Sequence, residues 1–163
     1  MGIDVRYFVE YRRSADENWI GFGEFHPERN TELIDDLRML GELRGVPKKY
    51  SVSFFERAFV YIAEEEEIAK CIGDKYCTKQ LANNWVKQYG SKIYHSSRTD
   101  ADWILDPEFE STSWLLFSEF KAIIENHLTK NKLSVDYEAI CSAMEVIENC
   151  CDKNSTRLIF WYC

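Results

Sequence analysis

The residues of this sequence best suited to metal binding or nucleophilic catalysis are three histidines and six cysteines. His26, His95 and His127 lack the HxxxH spacing that places two metal ligands on one face of a helix. The cysteines form no CxxC pair, and five of them lie beside acidic or apolar residues, whereas a reactive thiol needs an electropositive setting. We therefore predict no metal site and no cofactor, and we expect the thiols to be free, buried and inert.

Serine chemistry and phosphate-binding loops also lack their usual patterns. The stretch from His95 to Ser97 and the stretch from Ser111 to Ser113 lie near Asp100 and Asp102, but neither contains the GxSxG turn that exposes a nucleophilic serine. The seven glycines form neither GxGxxG nor a GKS or GKT motif. These patterns predict no catalytic residues, so an enzyme is the less favoured class.

The most informative segment is residues 100–110, with the sequence DADWILDPEFE. It holds five carboxylates and no base, interleaved with four large apolar side chains. In one interpretation the apolar groups fill the core and the acids face water. In the other, an exposed aromatic anchor surrounded by negative charge docks on a basic protein surface. The second interpretation predicts a partner-binding site formed by Asp100, Asp102, Trp103, Asp106, Glu108, Phe109 and Glu110.

Hydrophobic periodicity predicts the elements that position this segment. Alternation over residues 3–9 predicts a strand, and residues 19–22 resume it as the second strand of a hairpin. Apolar residues at intervals of three and four predict helices, and Glu64–Glu67 are expected on a solvated helix face. The predicted helices lie around residues 31–40, 53–70, 78–89, 117–128 and 134–151.

Two further segments complete the predicted architecture. Residues 90–112 show little periodicity and are predicted to form a long loop, whereas the apolar end 157–163 is predicted to be an interior strand beside the hairpin. The expected fold is a single α+β domain, residues 1–163, in which the hairpin and the C-terminal strand form a small sheet covered on one side by four or five helices.

Composition and charge limit the function classes. The chain has 163 residues, of which 45% are hydrophobic, enough for one core. The net charge of -8 is spread along the sequence without a basic cluster, so direct nucleic-acid binding is not expected. The first residues do not look like a signal peptide and no segment is long and apolar enough for a membrane span, which predicts a cytoplasmic location.

Four short motifs occur in a fixed order. They are MGIDVR at residues 1–6 with Glu10 and Trp19, Arg29-Asn30 leading to Gly45-Val46-Pro47, STSWL at residues 111–115 with Glu119, and RLIFWY at residues 157–162. In this order they resemble a family of uncharacterised bacteriophage and prophage proteins, which begin with Met-Gly-Cys-Asp-Ile-His and close with Val-Arg-Leu-Val-Phe-Trp-Phe. The resemblance covers both ends of the chain and hardly touches residues 48–105.

The resemblance implies a phage origin and a place in the bacterial host cytoplasm, but no inherited activity. Where the family has histidines, this chain has Arg6 and Glu110, so a histidine site would not carry over. The predicted function is a non-enzymatic inhibitor that binds a host protein with a basic surface, such as a CRISPR effector or another antiviral-defence component. One alternative is a small enzyme or sponge for a nucleotide signal, with Arg6, Arg29 and Arg98 in its pocket. A structural or regulatory phage protein is the third.

Overall fold

A computed structural model of this protein describes residues 4–41, 44–64, 75–97, 100–130 and 133–163. Its internal contacts divide the chain into two compact units. Unit 1 comprises Met1–Phe54 and Ser111–Cys163, and unit 2 comprises Phe55–Glu110. Unit 2 is therefore an insertion in the sequence of unit 1. The expectation that the chain folds as one domain stays a prediction.

The part of the chain that the structure describes contains five helices and eight strands. This confirms the predicted α+β class. In chain order the elements are β1 (Val5–Tyr11), β2 (Ile20–Phe25), α1 (Thr31–Gly41), α2 (Val52–Ala58), β3 (Phe59–Ala63), β4 (Tyr76–Thr78), α3 (Lys79–Tyr89), β5 (Ile93–Ser96), β6 (Ala101–Leu105), a 3₁₀ turn (Pro107–Phe109), β7 (Ser113–Leu116), α4 (Phe117–Lys130), α5 (Val135–Asn149) and β8 (Thr156–Tyr162).

Unit 1 is built on an antiparallel sheet with strand order β2-β1-β8-β7. The predicted hairpin supplies β1 and β2, and the predicted C-terminal strand is β8, which lies between β1 and β7. Every residue of β8 except Tyr162 is buried, as expected for a strand covered on both faces. The predicted hairpin and the interior position of the C-terminal strand are confirmed, whereas β7 was not among the predicted strands.

Helices α1, α4 and α5 contribute the apolar residues that cover one face of this sheet. Alternate residues of β1 and β8 point toward the helices because side chains in a strand alternate between faces. The resulting core includes Val5, Tyr7, Val9, Leu33, Leu37, Leu115, Phe120, Ile124, Tyr137, Ile140, Met144, Leu158 and Phe160. The Tyr7 and Tyr137 hydroxyls lie 3.2 Å apart within it, so each buried phenol has a hydrogen-bond partner.

Aromatic packing covers the opposite face of the unit 1 sheet. Phe54, at the end of the unit 1 part of α2, packs edge-on against Phe8 and against Trp161. Gly21 on β2 lets the first turn of α2 lie close to the sheet, because a Cβ atom at Gly21 would lie 2.7 Å from the Cβ of Ser53. The central strands β1 and β8 are thus covered on both faces within unit 1.

Unit 2 has its own four-stranded sheet, with strand order β4-β3-β6-β5. Strands β3 and β4 pair in parallel and the other neighbours pair antiparallel. Helix α3 is capped by Thr78, whose Oγ1 accepts a hydrogen bond from the Leu81 amide at 3.1 Å, and it ends at Gly90 with φ 68°. It covers one face of the sheet by packing on Val60, Ile62, Cys77 and Ile104.

Two predictions in this region are wrong. The helix predicted over residues 53–70 ends at Ala58, and residues 59–63 form β3. The loop predicted over residues 90–112 instead contains β5, β6 and the 3₁₀ turn. Both segments contain short apolar runs, whose periodicity does not distinguish a strand from a helix or a loop. They become strands because neighbouring strands of the sheet satisfy their backbone hydrogen bonds. Of the acidic helix face predicted at Glu64–Glu67, Glu64 is exposed as expected but follows β3 instead of lying in a helix, and residues 65–67 lie outside the described residues.

Candidate interaction surface

The N-terminal end of the predicted docking segment, with Asp100 and Asp102, belongs to the β5–β6 hairpin. Asp100 occupies the turn with φ 49°, and Asp102 lies on β6 directly opposite His95 of β5. The His95 ring nitrogens lie 2.8 Å from an oxygen of Asp102 and 3.4 Å from an oxygen of Asp100. All three side chains are exposed, so this cluster contributes little to folding and remains available for contact.

The other end of the segment folds around a buried phenylalanine. Asp106 begins the 3₁₀ turn by accepting a hydrogen bond from the Glu108 amide at 3.0 Å. The Phe109 side chain that follows has no exposed surface. The Arg57 guanidinium and the Lys75 ammonium lie 5.1 and 5.4 Å from the centre of its ring. Phe109 is therefore a buried side chain with two cations near its ring, and the expectation that it is an exposed anchor is wrong.

Bases from elsewhere in unit 2 offset part of the acidic charge. Lys75 Nζ lies 3.5 Å from Asp106 Oδ2, and Arg57 Nη2 lies 3.9 Å from Glu108 Oε1. Glu110, at the end of the segment, is exposed. The segment has no base of its own, but the fold supplies two, so the uncompensated acid lies mainly at the hairpin end and at Glu110.

An aromatic row crosses the sheet of unit 2 and includes Trp103, the one predicted aromatic that the fold leaves partly exposed. Tyr76 on β4 pairs with Tyr61 on β3, Tyr61 pairs with Trp103 on β6, and Trp103 pairs with Tyr94 on β5. Paired residues share a face, so these four side chains form one continuous line. With strands about 4.8 Å apart, the line is roughly 14 Å long. We call it the aromatic row.

The ends of the aromatic row are its most exposed parts. Tyr76 is 37% exposed and Tyr94 is 45% exposed, while Tyr61 and Trp103 are half-buried between them. The Trp103 ring contacts Tyr61 at 5.4 Å and Phe55 of α2 at 5.1 Å between ring centres. The Trp103 indole Nε1 is buried and has no hydrogen-bond acceptor among the described residues. The row combines a rigid centre with two accessible ends.

Sequence reasoning identified Trp103 but missed its three partners in the row. Tyr61 fell within a predicted helix, Tyr94 within a predicted loop, and Tyr76 in a stretch without an assignment. The available signal was local: residues 59–62 and 93–94 are rich in the aromatic and β-branched side chains that favour strands. Their alignment depends on strand register, which no local pattern encodes.

The arginines of the alternative site do not meet in the described structure. Arg6 is half-buried on β1. Arg29 precedes α1 and lines a small cavity of about 290 Å³ together with Asn30, Ser134 and Tyr137, and Arg6 is not part of that lining. Arg98 lies outside the described residues. A pocket made from all three arginines therefore stays a prediction.

The five cysteines in the described ranges are free but differ in exposure. Cys77 is buried in the unit 2 core, and burial raises the pKa of its thiol to about 11, followed by a smaller effect of Asp106. Cys150 and Cys163 are exposed. The prediction that the thiols are buried is therefore wrong for these two, which lie at the end of α5 and after β8, beyond the packed elements.

Metal-binding clusters and membrane-spanning helices are absent from the same described ranges. These ranges contain no group of three or more His, Cys, Asp or Glu side chains placed to hold a metal ion. No helix among them has the length and apolar character needed to cross a bilayer. Comparisons with protein-family models, with curated proteins and with solved structures give no significant match to this chain.

Proposed function

We propose that this protein is a non-enzymatic binding protein whose aromatic row docks on a partner protein. The observation that carries the proposal is the continuous line of Tyr76, Tyr61, Trp103 and Tyr94 across one face of the unit 2 sheet. Tyrosine and tryptophan dominate the energetic centres of protein interfaces, because they bury much area and lose little side-chain entropy. The other sheet face is occupied by α3, so docking at the row would leave the unit 2 core undisturbed.

Charge favours a protein partner over a nucleic acid. Aromatic sheet faces also stack single-stranded bases, but those sites need cations that follow the phosphate backbone. Near the aromatic row, Arg57 and Lys75 are each paired with an acid, Glu108 and Asp106. Asp102 alternates with Trp103 along β6, so it points to the face that α3 covers. The exposed carboxylates of Asp100, in the turn, and of Glu110 would repel phosphate and attract a basic protein surface.

The biological setting belongs to the same proposal. The resemblance to phage and prophage proteins supports a phage-encoded inhibitor, working in the host cytoplasm on a component of antiviral defence. Such inhibitors act by occupying a surface, which requires no catalytic group. A CRISPR effector is a suitable first target class, because proteins that bind nucleic acid carry large basic surfaces.

The test is partner capture by tagged protein in bacteria, with aromatic variants compared side by side. Replacing Tyr76 and Tyr94 together with alanine removes both accessible ends of the row. Each end is expected to contribute on the order of 1 to 2 kcal/mol, so the double variant should bind at least about thirtyfold more weakly. The matched control is Tyr89→Ala, since Tyr89 has the same 37% exposure as Tyr76 but lies on α3, which packs on the other face.

Partner capture and thermal melting of both variants decide between the possible interfaces. A partner retained by the Tyr89 variant and lost by the double variant supports the proposal, provided that both melt like the original protein. Equal capture by both variants would place the interface elsewhere. Capture of nucleic acid instead of protein, abolished by nuclease treatment, would contradict the choice of partner.

A further inference from the structure

Unit 1 contains a second feature that the proposed docking function does not use. Two loops, residues 12–19 after β1 and residues 45–51 before α2, enclose a cavity of about 500 Å³. We call it the cationic cavity. Its lining includes Arg12, Asp16, Glu17, Lys48, Lys49 and Tyr50.

A buried ion pair ties the loop before α2 to the sheet. Glu10, which has no exposed surface, accepts hydrogen bonds from Arg157 Nε at 2.9 Å and Nη2 at 2.7 Å. Its other oxygen accepts the Ser51 amide at 2.6 Å, and Arg157 also donates to the Lys49 carbonyl. These bonds position the backbone that carries Lys48 and Lys49, so this wall of the cavity is built on the interior of the sheet.

The same arginine anchors the opposite loop. The Arg157 guanidinium lies 3.7 Å from the centre of the Trp19 ring, and the Arg12 guanidinium lies 4.4 Å from it. Backbone bonds join Arg12 to Ser155 at 2.9 Å and Asp152 to the Arg13 carbonyl at 2.9 Å. Both walls are therefore held before any ligand arrives, which lowers the entropy cost of binding.

Within the described part of the chain, three cations on these walls have no carboxylate as an ion-pair partner. Lys48 and Lys49 have no ion-pair partner among the described residues. Arg12 Nη1 donates to the Ala15 carbonyl at 3.1 Å, but its Nε is buried with no hydrogen-bond partner in the same ranges. A buried N–H of a charged group is costly to leave unsatisfied. In a protein with a net charge of -8, this grouping favours an anionic ligand.

The remaining lining residues indicate that the ligand carries a sugar and an aromatic ring in addition to its anionic group. Asp16 and Glu17 would repel a small anion but can accept hydrogen bonds from sugar hydroxyls. Tyr50 is half-buried and supplies an aromatic ring. We propose that the cationic cavity binds a nucleotide, with Arg12, Lys48 and Lys49 on its phosphates, Asp16 and Glu17 on its ribose, and Tyr50 against its base. The volume suits a ligand of that size.

The experiment is calorimetric titration of the full chain with ADP, GDP and UDP, alongside inorganic phosphate and adenosine. At least one nucleotide should bind at a single saturable site, more tightly than phosphate or adenosine. Lys48→Ala with Lys49→Ala should weaken that binding by about tenfold or more, because both charge-assisted contacts are lost. The charge-matched control is Lys87→Ala with Lys92→Ala, since these exposed lysines belong to unit 2.

Several outcomes would overturn the assignment. They are the absence of saturable binding by all three nucleotides at millimolar concentration, equal weakening by both lysine pairs, or phosphate binding as tightly as the nucleotides. Tighter binding of a ten-nucleotide single strand would indicate a nucleic-acid groove instead. Melting curves must show that the Lys48 and Lys49 variant is folded. Partner capture by that variant separates this proposal from the docking proposal, because the aromatic row is unchanged.

Discussion

A partly buried ion pair illustrates how single residues stabilise unit 1. Glu119, in the first turn of α4, receives two hydrogen bonds from Arg44, at 2.7 and 2.6 Å, and one from the Leu116 amide at 3.1 Å. The last contact is one half of a capping box, which satisfies a free amide at the helix N-terminus. The Arg44 hydrogen bonds, reinforced by the Leu116 amide, lower the pKa of the Glu119 carboxyl despite its partial burial. Arg44 also donates to the Trp114 carbonyl at 3.1 Å.

We expect Glu119→Gln to lower the free energy of unfolding by about 1 kcal/mol at neutral pH. Because the folded pKa lies below the ordinary value of about 4.5, this contribution is complete above that value and is lost as the pH falls through the folded pKa. The stability difference from the original protein should therefore shrink on acidification. Denaturant unfolding between pH 7 and pH 3 measures it.

The matched control for this prediction is Glu125→Gln in the same helix. Its carboxylate is 64% exposed, and its one ion-pair contact among the described residues, with Lys121, is long at 4.0 Å. Its removal should therefore change the free energy of unfolding little at any pH. A pH-independent loss in the Glu119 variant would indicate that packing, and not the charge, is what Glu119 contributes.

At the scale of elements, β8 has the largest structural role in unit 1. It pairs along its length with β1 and, through Arg157–Phe160, with β7, so it joins the two sequence segments of that unit. Its side chains reach both faces, with Leu158 and Phe160 in the helix-covered core and Trp161 against Phe54. No other strand of this sheet contacts both β1 and β7.

Deletion of residues 157–163 should therefore prevent unit 1 from folding. The deletion leaves β7 without a partner strand and β1 paired with β2 alone. It also removes aromatic side chains whose burial contributes about 3 kcal/mol or more each, against a typical total stability of about 5 to 15 kcal/mol. Deletion of the exposed Cys163 alone is the control. Circular dichroism and thermal melting distinguish the cases, and a cooperative melt of the longer deletion would show that β8 is dispensable.

For the whole molecule, the division into units predicts that unit 1 can fold without the insertion. Phe54 and Ser111, which flank unit 2 in the sequence, both contact the end of β8. The Phe54 ring lies 6.4 Å from that of Trp161, and Ser111 Oγ accepts the Tyr162 amide at 3.0 Å. A flexible linker of about five glycine and serine residues should join them without strain.

Replacing residues 55–110 with that linker should give a protein that melts cooperatively. It should retain nucleotide binding, since the cationic cavity lies entirely within unit 1, and it should lose partner capture, since the aromatic row is absent. Calorimetry and capture measure the two activities separately. An unfolded product would show that unit 1 depends on unit 2 for stability, contrary to its compact division.

Much of unit 1 could be predicted from the sequence because its signals are local. Alternation in residues 3–9, three- and four-residue spacing in α1, α4 and α5, and an uncharged end after Arg157 each reflect how an element buries one face or both. The Thr78 cap and the Gly90 stop of α3 are equally local, because they satisfy backbone groups within one turn.

The tertiary structure decided the features that carry both proposed sites. The sequence placed Trp103 and Phe109 in the same segment, but only folding buries Phe109 and aligns Trp103 with Tyr61, Tyr76 and Tyr94. The cationic cavity likewise unites loops more than 25 residues apart, through Glu10 and Arg157, which are separated by 147 positions. Strand register and buried ion pairs depend on which distant segments meet, and local periodicity carries no information about that choice.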